Sequence, residues 1–390
     1  MKIAMTDPSL FTGRYDDSLC AALAQRGHDV RLLGRPMRET DAIVPHGYDY
    51  DPRFFRFGER SRALFGDGLF GKAVKAGEYS LDAFAGPLDA FDADVVHAQW
   101  LPFAWADARL LGRLRRRTAL VHTVHNAQAF HGDATAAVQG RGYMALLPRF
   151  DALIVHGEAT RAALEGQGID MNHVHLVPHP PMKLAAATPE DLAAVPPKTP
   201  NVPRIVFFGT IRPYKGLDLL IEAAINLWKD GHNFELAVAG KPFMPVEALF
   251  GRIRGASFGH RLITDLGFLP EGRLDAHLSQ ADIIAFPYHS IDSSGAFLSA
   301  LGYGAAMVTS DAGMFGELKE SDVVRFPVGD ADALTDALRP LVSDAALRGR
   351  FAEAASGLDT RLGGWDQAAV GTERVYEAAL DRFAARKVHP

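Results

Sequence analysis

The chain has 390 residues, 48% of them hydrophobic and 23% charged, which is the balance of a folded protein with room for two or three domains. Its single cysteine, Cys20, excludes an intrachain disulfide framework and a thiolate metal site, and it favours a cytoplasmic location. The formal net charge of −6 does not indicate a nucleic-acid partner, and no apolar run approaches the roughly 20 residues that span a bilayer.

The first part of the chain alternates short apolar runs with helix-like segments. Residues 2–6 are predicted to form a strand, a loop with Gly13 leads into a helix that stops at Gly27, and residues 29–33 form a second strand. Further strands are predicted at 94–97, 119–125, 152–156 and 173–177. This order of strand, helix and strand predicts a parallel sheet with helices on its faces.

A change of composition divides the chain. Prolines recur between 181 and 203, which predicts a linker with one helical turn at most. The alternation of strands and helices resumes after the linker, with the strand RIVFFG, the helix LDLLIEAAINLWKDG and the strand FELAVAG. The further strands LITDLGFL, ADIIAFPY and AAMVTSD follow. We therefore expect a first Rossmann-like domain at 1–180, the linker at 181–203, and a second Rossmann-like domain at 204–364. A helix at 365–390 is expected to pack back on the first domain.

The segment IVFFGTIRPYKGLDLLIEAA is typical of a phosphate site. Its strand ends at Gly209, a loop carries Arg212 and Lys215, and Gly216 leads into a helix. A helix N-terminus offers unpaired N–H groups and partial positive charge to an anion. Arginine grips phosphate oxygens with two parallel bonds, whereas lysine supplies a compact charge. An isolated R-x-x-K would indicate a solvated basic loop, but with the strand, helix and both glycines present the pattern favours a diphosphate site.

The same segment resembles the donor-site signature of the group 1 family of retaining GT-B glycosyltransferases (family 4), F-x-G-R/T-x-x-x-x-K-G. Five other segments resemble motifs of that family: the loop TGR at residues 12–14, LVHTVHN, VHLVPHP, LAVAGKP and DLGFLP. ADIIAFPY follows them in the family's order, so the resemblance covers nearly the whole chain. It implies an α/β protein of GT-B fold, with two Rossmann-like domains facing a cleft.

The resemblance also implies roles for individual residues. Arg212 and Lys215 would hold the donor phosphates, and His125 would lie beside the reacting sugar. The other donor-binding residues would be Gly209, Gly216, Gly240, Phe268, Leu269, Asp292, Ser294 and Gly295. On the first domain, acceptor contacts are predicted for Gly13, Arg14, His97, Trp100 and Asn126. For His97 and Trp100, at the end of a strand, simple packing at the sheet edge is the alternative.

One part of the chain departs from the family pattern. Most members carry two glutamates near the donor sugar and ribose, but Ile291 and Ser299 stand at those positions. Ser294 and Gly295 resemble a Ser-Gly pair that opens this helix in a subset of the family. Asp292 is expected either to replace the first glutamate or to cap the helix.

The pattern does not require a metal ion or a cofactor. His173, His175 and His179 are close in sequence but lack a nearby carboxylate, so we predict no metal site there. The D-x-D triplets at 92–94 and 330–332 are interpreted as turn and cap residues. We expect metal-independent chemistry, with the nucleotide sugar as co-substrate.

The predicted function is transfer of a sugar from a nucleotide diphosphate donor to an acceptor hydroxyl with retention, on a glycan or a lipid-linked acceptor. A nucleotide-sugar epimerase of the same fold is the nearest alternative. A catalytically silent protein that senses the donor is the other, because both glutamates are missing. A dinucleotide dehydrogenase is disfavoured, since no G-x-G-x-x-G follows the first strand.

Cations and apolar residues also alternate in two stretches of the first domain, which predicts contact with the inner face of the plasma membrane. A surface of this kind would face anionic lipid with its cations and dip its aromatics into the headgroups. The residues are Arg53, Phe54, Phe55, Arg56, Phe57, Arg60, Arg62, Phe65, Phe70, Lys72 and Lys75, then Leu110, Leu111, Leu114, Arg115, Arg116 and Arg117. The alternative is that the phenylalanines are core residues and the arginines a solvated face.

Overall fold

The computed structural model of the protein describes residues 1–38, 41, 43–65, 69–126 and 142–388. The chain forms two compact units, which we call unit 1 and unit 2. Unit 1 comprises Met1–His179 and Gly364–Pro390, and unit 2 comprises Pro180–Gly363.

Unit 1 is built on a parallel sheet of seven strands within the described residues. The strands are β1 (Lys2–Thr6), β2 (Asp29–Leu33), β3 (Asp49–Asp51), β4 (Val95–Ala98), β5 (Ala119–Thr123), β6 (Ala152–Val155) and β7 (Val174–Leu176). Their order is β3-β2-β1-β4-β5-β6-β7, so the direction of winding reverses between β1 and β4. At such a reversal the loops that follow the two strands part, which leaves a crevice at the carboxyl edge of the sheet.

Helices cover both faces of this sheet, which is why its central strands β4 and β5 are buried throughout. The helices are α1 (Gly13–Gln25), α2 (Arg56–Phe65), α3 (Leu69–Ala85), α4 (Ala104–Leu114) and α5 (Glu158–Gly166). In α1, Leu19 and Leu23 are spaced by one turn and both are buried. The helix ends before Gly27, as predicted.

Unit 2 repeats the plan with a six-stranded parallel sheet in the order β10-β9-β8-β11-β12-β13. The strands are β8 (Arg204–Phe208), β9 (Glu235–Gly240), β10 (Leu262–Leu266), β11 (Ile283–Phe286), β12 (Ala306–Ser310) and β13 (Val324–Phe326). The winding reverses between β8 and β11, and the apolar runs predicted as strands all lie in this sheet.

The helices of unit 2 are α6 (Pro189–Ala194), α7 (Leu217–Lys229), α8 (Glu247–Gly255), α9 (Glu271–Leu278), α10 (Gly295–Ala300), α11 (Ala331–Ser343) and α12 (Ala345–Leu362). Helix α6 lies in the segment predicted as a linker, and Thr188 and Asp191 close its N-terminus with a capping box. The same segment is tied to unit 2 by Lys198, whose ammonium lies 2.9 Å from the Asp282 carboxylate.

The last helix, α13 (Trp365–Val388), belongs to unit 1, which confirms the prediction that it crosses back to the first domain. Its Tyr376 hydroxyl lies 2.8 Å from Nδ1 of His97. Its Glu373 accepts a hydrogen bond of 2.7 Å from Arg26, at the end of α1. Among the described residues, no helix combines the length and hydropathy needed to cross a bilayer.

Candidate functional site

The loop from Gly209 to Gly216 lies at the winding reversal of unit 2. It leaves β8 and enters α7, and it touches the loop that follows β11. Gly216 has φ of 66°, and a Cβ there would lie 1.9 Å from the carbonyl oxygen of Pro287. The Lys215 ammonium lies 5.1 Å from the centre of the Tyr288 ring. The predicted phosphate segment therefore occupies the point of the sheet where ligands of open α/β folds bind.

Lys215 is a buried cation without a carboxylate partner. The residue is 7% exposed, and burial lowers the pKa of its ammonium, as does the nearby Arg212 guanidinium to a smaller extent. Within the part of the chain that the structure describes, no carboxylate pairs with Arg212, Lys215 or Lys241. A concentration of unneutralised positive charge beside a helix N-terminus favours the binding of an anion.

Lys241 and Phe243 belong to this site, although our sequence analysis did not select them. The segment 241–243 continues the pairing of β8 with β9, because Ile211 N–H donates to the Lys241 carbonyl at 2.8 Å and Phe243 N–H donates to the Ile211 carbonyl at 2.8 Å. The guanidinium carbon of Arg212 lies 4.4 Å from the centre of the Phe243 ring. The Lys241 ammonium lies 5.1 Å from the same centre. The motif LAVAGKP contained the signal, in the lysine directly after its glycine.

The other residues predicted for donor binding after β9 and β10 also lie at this carboxyl edge. Gly240 has φ of 140°, and a Cβ there would lie 1.9 Å from the Gly209 carbonyl oxygen. A packing requirement between neighbouring strands therefore accounts for this glycine. Phe268 is exposed, whereas Leu269 packs against the core of unit 2. Their contact with a base stays a prediction.

The two positions at which the family pattern has glutamates pack against the core of unit 2 or are buried. Ile291 packs against the core, and Ser299 is buried. The Ser294 hydroxyl accepts a hydrogen bond of 3.2 Å from Phe297 N–H and is the N-cap of α10. The alternative that Asp292 caps this helix is therefore wrong. Donor contacts of Asp292, Ser294 and Gly295 stay predictions.

In unit 1, two loops meet at the winding reversal between β1 and β4. Asp7 follows β1, and its carboxylate accepts a hydrogen bond of 2.9 Å from Thr12 N–H. Trp100 follows β4 and donates to the Thr12 hydroxyl at 2.9 Å. Gly13 is the next residue and begins α1, with Arg14 half-buried beside it. The structure thus brings the predicted loop at 12–14 together with Trp100.

His125 follows β5 and lies against this group. Its ring stacks on the Trp100 ring at 5.5 Å, and its Nε2 lies 2.8 Å from the Gln99 side-chain oxygen. Burial holds the pKa of His125 well below its usual value, and the neighbouring His156 and His179 lower it further. The imidazole is therefore neutral, so it can exchange hydrogen bonds with a hydroxyl but cannot neutralise an anion. Asn126 is half-buried next to it.

His97 is a core residue of unit 1, although the sequence predicted an acceptor contact for it. Its side chain is 0% exposed inside the core of unit 1, and burial lowers its pKa to about 3. Both ring nitrogens have partners, Tyr376 on one side and Thr123 on the other, each at 2.8 Å. The predicted acceptor contact of His97 is wrong, because α13 covers the strand that carries it.

The predicted membrane surface also needs correction. Phe54 and Phe55 are buried in the core of unit 1. Leu110, Leu111 and Leu114 are buried there as well, so none of these five faces a lipid. Phe57 and Arg115–Arg117 are exposed, and the side chains of Arg62, Phe65, Phe70 and Lys72 lie outside the described part of the chain.

A different apolar surface is exposed on unit 1, and we call it the α3–α4 surface. It consists of Leu81, Phe84 and Trp105, which are 72%, 48% and 56% exposed. The Phe84 and Trp105 rings lie 5.7 Å apart. The Arg109 guanidinium lies over Phe84 at 5.7 Å. Arg113, one turn further along α4, donates to the carbonyls of Ala83 and Gly86.

Within the described ranges, no group of three or more histidine, cysteine or carboxylate side chains is arranged so that it could hold a metal ion. The two D-x-D triplets have structural partners. Asp94 accepts a hydrogen bond of 2.8 Å from Lys2 N–H, and Asp330 caps α11 through Ala333 N–H at 2.8 Å.

Comparison with known proteins identifies relatives for both units. The family model described as "Glycosyl transferase 4-like domain" matches residues 12–180, and the one described as "Glycosyl transferases group 1" matches residues 202–344. The D-inositol 3-phosphate glycosyltransferase of Xylanimonas cellulosilytica is 27% identical, over 94% of this chain and 91% of its own.

Solved structures share the fold at low sequence identity. Sucrose-phosphate synthase of Thermosynechococcus elongatus superposes with a TM-score of 0.70 at 17% identity, covering 99% of this chain and 100% of its own. Anabaena HepE, solved in complex with UDP, has a TM-score of 0.68 at 14% identity, covering 96% and 98% of the two chains. These likenesses confirm the predicted GT-B fold of two Rossmann-like units.

Proposed function

Because the chain belongs to the group 1 glycosyltransferases, we propose that it transfers a sugar from a nucleotide diphosphate donor held by unit 2. The acceptor is a hydroxyl of a glycan or lipid-linked glycan bound by unit 1. The anomeric configuration is retained. Neither a metal ion nor a cofactor takes part.

The observation that carries this proposal is the group of three cations at the winding reversal of unit 2. Arg212, Lys215 and Lys241 have no carboxylate partner among the described residues, and the N-terminus of α7 follows Gly216. As the bond from the sugar to the diphosphate breaks, negative charge grows on the leaving oxygen. Fixed cations lower the barrier because that charge is larger in the transition state than in the bound donor.

Unit 1 supplies a neutral imidazole at His125, which suits an uncharged hydroxyl. Neutral His125 and the Trp100 loop would orient the acceptor. The acceptor oxygen then forms a bond to the anomeric carbon while the bond to the diphosphate oxygen breaks. The proton of the acceptor hydroxyl moves to the departing phosphate. The enzyme would contribute positioning and charge stabilisation.

Lys215→Met tests the donor site. Methionine keeps an unbranched chain against Tyr288 but removes the charge, so the fold should survive. We expect turnover to fall on the order of a hundredfold or more, as on loss of one transition-state contact. Assays would pair UDP-glucose, UDP-N-acetylglucosamine and GDP-mannose with a lipid extract, soluble glycans and inositol 3-phosphate, the compound in the relative's name.

The matched control is Lys229→Met, at the exposed end of the same helix, which should keep full activity. Near-normal turnover by Lys215→Met would mean that the donor site is elsewhere. Donor consumption without any acceptor would favour the epimerase, and donor binding without turnover would favour the silent sensor. Addition of EDTA should leave the rate unchanged.

We also propose that the protein binds anionic membranes through the α3–α4 surface. Leu81, Phe84 and Trp105 offer apolar side chains to the lipid, and Arg109 stands among them. Arg115–Arg117 follow at the end of α4 and are exposed. Each cation near an anionic surface adds about 1 kcal/mol of binding free energy. Apolar contact and several cations together suit reversible attachment.

Sedimentation with vesicles tests this surface. The protein should pellet with vesicles containing phosphatidylglycerol, less so at high salt, and stay in the supernatant with phosphatidylcholine alone. Replacing Arg115, Arg116 and Arg117 by glutamate should abolish binding, as should Phe84→Ser with Trp105→Ser. Leu192→Ser, an exposed leucine of unit 2, is the control and should bind normally. Equal recovery with both kinds of vesicle would refute the membrane contact.

A further inference from the structure

We infer that Phe243 is a positioning residue of the donor site: its ring holds the Arg212 guanidinium in place for the diphosphate. This inference rests on the proposed donor site in unit 2 and deepens it. Phe243 is 49% exposed, which is unusual for a phenylalanine that follows a buried strand. The two cations, Arg212 and Lys241, lie over this ring.

The backbone fixes where the ring stands. Beyond the end of β8, Ile211 pairs with the segment 241–243 through two hydrogen bonds of 2.8 Å, so the loop bearing Arg212 is joined to the loop bearing Phe243. Ile211 is fully buried and Met244 packs against the core of unit 2. The two loops are therefore anchored on both sides of Phe243, and its backbone cannot move away from Arg212 without breaking these hydrogen bonds.

The ring in turn restrains the cation. A guanidinium 4.4 Å from a ring centre is well within the distance at which the negative face of an aromatic ring attracts a cation. A free arginine has many rotamers, and fixing it on binding costs conformational entropy. Since Phe243 fixes Arg212 before the ligand arrives, part of that cost no longer falls on ligand binding. Lys241, 5.1 Å from the centre of the same ring, adds a second positive charge beside the ring.

Calorimetric titration of the full chain with UDP and with inorganic pyrophosphate tests the inference. Pyrophosphate has no base, so it reports on the phosphate contacts alone. Phe243→Leu should weaken both ligands by a similar factor of about threefold to tenfold. Phe243→Tyr keeps the ring and should bind within about twofold of wild type. In an Arg212→Ala background, Phe243→Leu should change affinity by less than about twofold, because the nearer cation is gone and only Lys241, at 5.1 Å, still lies over the ring.

The outcomes separate this inference from the proposed function. If wild type binds neither UDP nor pyrophosphate, or if Arg212→Ala binds them normally, the donor site is wrong and Phe243 loses its role with it. If Arg212→Ala weakens binding but Phe243→Leu does not, the donor site stands and the role of Phe243 is refuted. Weakening of UDP alone would instead make Phe243 a contact of the base. Equal losses with and without Arg212 would make it a general packing residue.

Discussion

A lysine that is buried without a carboxylate partner costs free energy, because burial disfavours the charged form. Among the described residues Lys215 is such a lysine. Its ammonium lies 5.1 Å from the centre of the Tyr288 ring, and burial lowers its pKa. An anion bound next to Lys215 removes part of that cost. The ligand and the fold are therefore coupled: any anion that binds here should stabilise the folded state as well as occupy the site.

Asp292 is the carboxylate next to Ile291, which stands at the position of the first missing glutamate. It lies half-buried two positions before the cap of α10, where the family pattern has a glutamate one residue earlier. If Asp292 recognises the sugar, Asp292→Asn should raise KM for the nucleotide sugar or change the preferred sugar. The measurement is steady-state kinetics over several donors. Unchanged constants for all of them would exclude a role in sugar recognition.

The buried carboxyl of Asp107 should make the free energy of unfolding depend on pH. The carboxyl is buried in unit 1, accepts hydrogen bonds from Tyr79 and from Phe103 N–H, and its burial raises the pKa from 3.8 to about 7. Protonated Asp107 stabilises the folded state. This contribution is fully present below about pH 4, near the pKa of the carboxyl in the unfolded chain, and it is lost as the pH rises towards about 7, its pKa in the folded protein. Asp107→Asn cannot ionise, so the free energy of unfolding of the variant relative to wild type should rise by up to about 1.4 kcal/mol per pH unit between about pH 4 and pH 7.

Urea unfolding at several pH values measures this difference. Only its slope with pH is diagnostic, because an amide also changes the hydrogen bond to Tyr79. The buried histidines titrate in both proteins and cancel in the comparison. A constant difference across the range would show that Asp107 is ionised in the folded state at all these pH values.

At the scale of an element, α7 carries a glycine with a left-handed backbone at each end. Gly216 has φ of 66° and touches Pro287, whereas Gly231 has φ of 87° with nothing within 4 Å of its absent Cβ. Alanine costs about 1 kcal/mol at either position from the backbone alone. Gly216→Ala must in addition displace the loop after β11, so it should lower Tm further and weaken UDP binding. Gly231→Ala is the control for backbone strain. Equal effects of the two would mean that the contact with Pro287 is unimportant.

The elements also show which features are readable from sequence. Every strand other than β3 and β13 was predicted, with ends that differ by at most three residues. Strands β3 and β13 were not, because Asp49–Asp51 and Val324–Phe326 are three-residue edge strands with too short a pattern. The candidate donor site was predicted from the loop 209–216, because its residues are contiguous in the sequence. Phe243 was missed because its contact with Arg212 arises from pairing between distant segments.

At the scale of the whole molecule, the chain enters unit 2 after His179 and returns to unit 1 at Gly364. Helix α13 then completes unit 1 with Tyr376 against His97, Glu373 against Arg26, and Arg386 against Asp151. Before α13 packs, His97 lacks one of its two partners. An unpaired buried polar atom costs about 1 to 3 kcal/mol, so unit 1 without α13 is incomplete in both packing and hydrogen bonding.

This connectivity has a consequence for the order of events during protein synthesis. Unit 1 begins to emerge from the ribosome first but receives its last helix only after all of unit 2 has been made, which takes about 10 to 40 s at about 5 to 20 residues per second. Unit 2 is continuous in sequence, so it can fold before α13 is made. On nascent chains stalled after residue 363, unit 2 should therefore resist protease while unit 1 is still cleaved. In that interval the face of β5 that α13 covers in the folded protein is open to solvent.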